Sequence, residues 1–336
     1  MQKILLTGHR KSGTTLFGKL LDSYPLTEIL VYPTDISVLY GGFDPFFYSR
    51  SRDEFAEGFF GIVEKTMLPY DKMRLSPKLP FFSLKRFLDI LHSDAQVLET
   101  IQTRSDLVDF VARSFAKAVD VANPRAFIFK ETSQLIHAND ILAPSDKAIT
   151  IFRDPRDVFS AIKDGFESYY ATNGEEFGTV LQSVLFRYQV DYLAYLKFSE
   201  ARPDSVRSIK FEDLVTEPEP VLRGLCKFIE IPFDASMLEP TDGNLAFQGN
   251  TYGNLEIPSG KITSKNVGRW TERLSGDEVE IIEFFLGDAL EGLGYAKSVD
   301  FNGPPRAVSD HYRAINSKFF FKSPDLESLF GVHNPV

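Results

Sequence analysis

Residues 2–21, QKILLTGHRKSGTTLFGKLL, constrain the fold more than any other stretch of the chain. A short, unbroken apolar run closed by Gly8 reads as a strand buried on both faces. After Gly13, Leu16, Leu20 and Leu21 recur at helical spacing. A strand that feeds a glycine-bearing turn and then a helix gathers backbone N–H groups at the positive end of the helix dipole, which suits an anion. Arg10 and Lys11 stand side by side in that turn, and Ser12, Thr14 and Thr15 add hydroxyl donors. An ordinary turn with Ser12 or Thr14 as helix cap accounts for SGTT. It does not account for two adjacent cations, whose repulsion calls for an anion between them.

The rest of the chain supplies a sheet for this unit to join. Apolar runs of strand length recur at 28–32, 126–130, 147–153 and 205–210, with helical patterns at 14–23, 104–122, 175–200 and 217–231 between and beside them. A further helix opens with a capping box from Ser275 to Glu278. Strands alternating with helices predict a three-layer α/β/α fold around a central parallel sheet, like that of P-loop nucleotide triphosphatases. The expected organisation is a single domain over 1–297 and a tail over 298–336 that packs on it. Within the domain, an aromatic-rich, mostly helical insertion at about 36–125 is expected to cap the acceptor side. The insertion carries YGGFDPFFYSRS, EGFFG and PKLPFFSLKRF, and the tail carries KFFFK.

The net charge of −10 argues against nucleic acid or an acidic membrane as partner, since both demand a dominant basic face. It leaves room for a small anion in a locally basic pocket. The single cysteine, Cys226, excludes an intrachain disulfide and lies in an apolar helical context that marks it as a packing residue. With no signal-peptide pattern and no apolar run of membrane length, the expected location is cytoplasmic.

Gly8 and Gly13 bracket four residues, as in a Walker A loop, yet Gly13 is followed by Thr14 and Thr15 while the only loop lysine, Lys11, precedes it. HRKSGTTLF, residues 9–17, resembles instead the 5′-phosphosulfate loop of sulfotransferases that use 3′-phosphoadenosine 5′-phosphosulfate (PAPS). AITIFRDPRDVFSAIKDGF, residues 148–166, is similar to that family's 3′-phosphate segment. The resemblance implies that Arg153 pairs with the 3′-phosphate, where a guanidinium fork suits better than an ammonium. The family's serine stands eight residues after this arginine, where this chain has Ala161; Ser160 is one residue earlier, turned by about 100° on a helix. Phe211, in IKFEDL, takes the place of a tyrosine common near the adenine, so no hydroxyl is available there. SKNVGRW, residues 264–270, resembles the Gly-x-Trp segment that closes over the 3′-phosphate, with Lys265 and Arg269 as its cations and Trp270 as a packing anchor.

The resemblance implies in-line sulfuryl transfer to a hydroxyl or amine acceptor, with no metal, leaving adenosine 3′,5′-bisphosphate (PAP). Lys11 would then stabilise charge growing on the oxygen that bridges sulfur to the 5′-phosphate. The cofactor set is Arg10, Lys11, Ser12, Gly13, Thr14, Thr15, Arg153, Ser160, Phe211, Lys265 and Arg269. For the base that deprotonates the acceptor, Asp35 is the leading candidate and Glu131 the second, ahead of His9 and His137. Thr132 holds the place where one branch of the family has histidine, and Lys130 is implied as a lining residue of the sulfate pocket. Small-molecule, lipid and carbohydrate acceptors all fit. Two other readings are a kinase or nucleotide hydrolase with an altered Walker loop and a nucleotide-binding protein without catalysis.

Overall fold

The structure is a computed structural model that describes residues 1–22, 24, 28–36, 52–76, 78–168, 177–243, 245–249, 259–303 and 305–308. The aromatic runs at 40–51 and 318–322 lie outside the described residues. The chain divides into two compact units, one of residues 1–153 and 190–267, the other of residues 154–189 and 268–336.

The first unit holds a five-stranded, all-parallel sheet of β1 (Gln2–Gly8), β2 (Ile29–Asp35), β3 (Ala126–Lys130), β4 (Lys147–Phe152) and β5 (Val206–Lys210), in the order β2-β3-β1-β4-β5. All five were legible as apolar runs. β2 extends beyond the expected 28–32 to Asp35, and its pairing with β3 is irregular between Val31 and Asp35.

Alternation along the strands divides the core in two. Leu5, Leu30, Phe127 and Phe129 point to one face; Ile4, Leu6, Ile128, Ile149 and Ile151 point to the other. The first face is covered by α2 (Arg52–Met67), α3 (Leu84–Ser93) and α4 (Arg104–Ala118). The second is covered by α1 (Thr14–Asp22), the short helix Phe211–Thr216 and the helix Pro218–Phe228. Burial on both faces is what a parallel sheet with crossover helices requires. Among the described residues, most of the insertion's phenylalanines are core, with Phe81 an exposed exception. Phe59, Phe82, Phe87 and Phe115 are at most 2% exposed, and Phe115 meets Tyr32, Phe82, Phe87 and Phe127 at centroid distances of 5.3–6.3 Å. Cys226 is buried against Met237, as a packing residue should be.

The sheet order places β1 and β4 side by side, with Gly8 paired to Ile151, while the chain leaves β1 toward β2 and β4 toward β5, on opposite sides. A crevice at the carboxyl ends of two such strands is the usual ligand position in open α/β sheets.

The second unit is organised around the helix Pro155–Ser168. Arg156 donates to Asp154 and to buried Glu283, and its guanidinium lies 4.2 Å from the Trp270 ring. Asp157 accepts from the N–H groups of Gly268 and Trp270 at 2.7 and 2.9 Å. The expected capping box of Ser275 and Glu278 is present.

Candidate active site

The loop between β1 and α1 is held to β4 and to Phe211 by two glycines. Gly8 has φ +148°, and a Cβ there would come within 2.4 Å of the Ile151 carbonyl oxygen. Gly13 has φ +94°, and a Cβ there would lie 2.4 Å from the Phe211 ring. Lys11 also takes a left-handed conformation, φ +67°, without being glycine. Such strain persists where surrounding structure over-determines it. Here Arg153 at the end of β4 donates from Nη1 to the Lys11 carbonyl at 3.0 Å and from Nη2 to the Asn266 carbonyl.

The guanidinium of Arg153 lies 4.8 Å from the centroid of the Phe211 ring, so Phe211 is a buried platform between Gly13 and Arg153. That is a packing role that the tyrosine comparison did not suggest. The turn after β3 closes the other side of the loop: Ser133 N–H donates to the Gly8 carbonyl and Gln134 N–H to Thr7 Oγ1, both at 3.0 Å.

Positive charge is concentrated at the loop. Burial, with Arg10 and Arg153 adding to it, lowers the Lys11 ammonium to about 8. A neighbouring anion is what would restore the charged form. Ser12 is fully buried, and its hydroxyl has no hydrogen-bond partner among the described residues. A phosphate group would supply both the charge and the acceptor that these side chains call for.

Asp35 and Lys130 end neighbouring strands and form an ion pair, with the Asp35 side chain 38% exposed and Lys130 only 14%. Lys130 shares a small cavity with Thr15, Gly18 and Thr34, so the ion pair lies beside the first turn of α1. Glu131 is different. Its residue is 1% exposed and its backbone N–H is engaged by the Leu6 carbonyl. His9 is fully buried, with Nδ1 2.7 Å from the Arg10 carbonyl oxygen. Of these groups, Asp35 has the most exposed side chain.

Lys265 is exposed, next in sequence to the Asn266 that Arg153 holds. Ser160 and Arg269 belong to the second unit. Ser160 is buried with its hydroxyl unpartnered among the described residues, and Arg269 is half-buried in the turn that Asp157 fixes. The structure therefore brings Lys11, Ser12, Gly13, Arg153 and Phe211 together in the first unit. Arg10, Thr14 and Thr15 flank that group on the same loop and helix.

A sequence model described as "Sulfotransferase family" matches residues 3–235. Among solved structures, the sulfotransferase domain of the Synechococcus PCC 7002 olefin synthase superposes with a TM-score of 0.56 at 15% identity, covering 88% of this chain and 94% of that one. The sulfotransferase domain of the curacin biosynthetic pathway gives 0.53 at 17% identity, covering 88% and 99%. At such identities the likeness is one of fold. Among the described residues no helix is long and apolar enough to cross a membrane.

Proposed function

The chain belongs to the sulfotransferase family, and we propose that it transfers the sulfuryl group of PAPS to a hydroxyl or amine of a small acceptor. The observation that carries this reading is the half-buried, left-handed Lys11 beside Arg10 and Arg153, an arrangement that a bound anion would stabilise. PAPS supplies the activated sulfuryl group when bound. The loop N–H groups and the Ser12, Thr14 and Thr15 hydroxyls hold its 5′-phosphate. The Lys11 ammonium stabilises negative charge on the bridging oxygen as the bond to sulfur breaks. Arg153 holds the 3′-phosphate, with Phe211 fixing the plane of its guanidinium. Asp35 takes the proton from the acceptor, and Lys130 orients it. A buried single cysteine without a disulfide suits a reducing, cytoplasmic setting.

Calorimetry with PAP and with ATP–magnesium tests the nucleotide, and transfer from labelled PAPS to a panel of phenols, alcohols, amines and oligosaccharides tests the chemistry. PAP binding without need of metal, with transfer to at least one acceptor, is expected. Binding of ATP–magnesium with no response to PAP would overturn the reading in favour of a kinase or hydrolase. Lys11→Ala is expected to cut turnover by about 10²–10³ while leaving the circular dichroism unchanged.

A further inference from the structure

β2 gains residues where it approaches Asp35. Its register against β3 runs Ile29–Ala126, Leu30–Phe127 and Val31–Ile128, and resumes at Asp35–Lys130. Tyr32, Pro33 and Thr34 thus stand against Phe129 alone. Such bulges re-aim a side chain at the edge of a site, and they release backbone groups from the ladder that need other partners.

The Pro33 carbonyl finds those partners in side chains. Lys19, four residues beyond Thr15 on α1, donates to it from Nζ at 2.9 Å, and Tyr70 donates its hydroxyl at 3.0 Å. The same ammonium donates to Asp242 Oδ1 at 2.7 Å and to the Tyr70 oxygen at 3.4 Å, which uses all three of its protons. The Lys19 residue is only 7% exposed. Asp22, one turn on, accepts at Oδ2 from the Thr241 hydroxyl and the Gly243 N–H, securing the segment that carries Asp242. A buried ammonium saturated in this way is a fixed post, and it fixes the carbonyl two residues before Asp35.

We propose that Lys19, assisted by Tyr70, is a positioning residue for Asp35, holding the β2 bulge that turns the Asp35 carboxylate toward Lys130 and the first turn of α1. The inference rests on the reading of Asp35 as the base. Lys19 itself touches no reacting atom. It acts by holding the strand end, where a displacement of about 1 Å can cost about 10²-fold in rate.

Amide hydrogen exchange at Thr34 and Asp35, PAP affinity, and turnover with the best acceptor of the panel together test the proposal. Lys19→Met is expected to speed exchange at those two amides by at least about 10-fold without changing β4, and to lower kcat by at least about 10-fold with PAP affinity within about 2-fold. Lys19→Arg, which keeps a donor for the carbonyl, is expected to restore most of kcat. In an Asp35→Asn background Lys19→Met should lower kcat no further, since its effect passes through that carboxylate. Unchanged exchange at 34–35, or an undiminished kcat loss in that background, overturns the proposal. Should Lys19→Met fail to fold, Tyr70→Phe, which removes one hydroxyl, must give the same pattern at roughly 3-fold, and no change there overturns it equally. If Asp35→Asn alone leaves turnover intact, the base assignment fails, while the exchange data still report whether Lys19 holds the bulge.

Discussion

Lys11 shows how a single side chain can weigh against the fold. In the unfolded chain its ammonium persists to the ordinary lysine value of 10.5, whereas burial and then Arg10 and Arg153 lower it to about 8 in the native site. Between those values the unfolded state binds more protons, so stability rises with pH; below about 8 the native chain bears the whole cost of the buried charge. Replacing Lys11 by Met removes that cost. The ligand-free variant is expected to be more stable than the wild type at pH 7, by about 1 kcal/mol once solvent screening of this half-buried group is allowed for. The gain should shrink as pH climbs from 8 and vanish near 10.5, which thermal melts across pH would show. A melting temperature unchanged or lowered at pH 7 would contradict the electrostatic reading. PAP binding to the wild type near pH 8 should also take up about half a proton as the ammonium is restored, measurable by calorimetry in buffers of different ionisation enthalpy.

At the scale of elements, the insertion is joined to the sheet by aromatic packing. Phe115 on α4 meets Tyr32 of β2, Phe127 of β3 and Phe87 of α3, and it is fully buried. Phe115→Ala is expected to destabilise the protein by about 3–5 kcal/mol, read by denaturant unfolding, while PAP affinity of the folded fraction stays unchanged. A cost below about 1 kcal/mol would mean that the insertion packs independently of the sheet. The apolar face of α4 was readable because Leu107, Val111 and Phe115 repeat at helical spacing. β1, β3 and β4 were readable because burial on both faces leaves short apolar runs, whereas the outer strand β5 shows buried Val206 and Ile209 with Arg207 exposed between them. Pro33 marks β2 as an edge or bulged strand, but nothing in Tyr-Pro-Thr-Asp shows that Lys19 and Tyr70 satisfy its carbonyl. A hydrogen bond that joins residues 223 apart, as Lys19 to Asp242 does, leaves no local pattern to find.

For the whole molecule, the same contrast separates the phosphate loop from the rest of the candidate site. Lys11, Ser12 and Gly13 could be read together because one turn must supply donors and room at a single point. The buried role of Phe211 and the hold of Arg153 on the Lys11 carbonyl depend on chain segments that meet only after folding. Charge, by contrast, is a property the sequence gives for the molecule at once, and it bears on the acceptor. The chain carries −10 overall, while Arg10, Lys11 and Arg153 are concentrated at the loop. Cations within a few ångströms of a bound phosphate are screened weakly by salt. The field of the distributed negative charge reaches an approaching molecule over tens of ångströms, and salt screens it strongly: the Debye length falls from about 30 Å at 0.01 M to about 8 Å at 0.15 M. An acceptor with a carboxylate must cross that field, whereas an uncharged acceptor of the same shape does not. The preference in kcat/KM for a neutral phenol over its carboxylated analogue is therefore expected to be largest at low ionic strength and to fall several-fold toward 0.3 M salt, with PAPS saturating throughout. A preference that stays constant across that range would place the discrimination in direct contacts within the acceptor pocket instead of in the charge of the molecule.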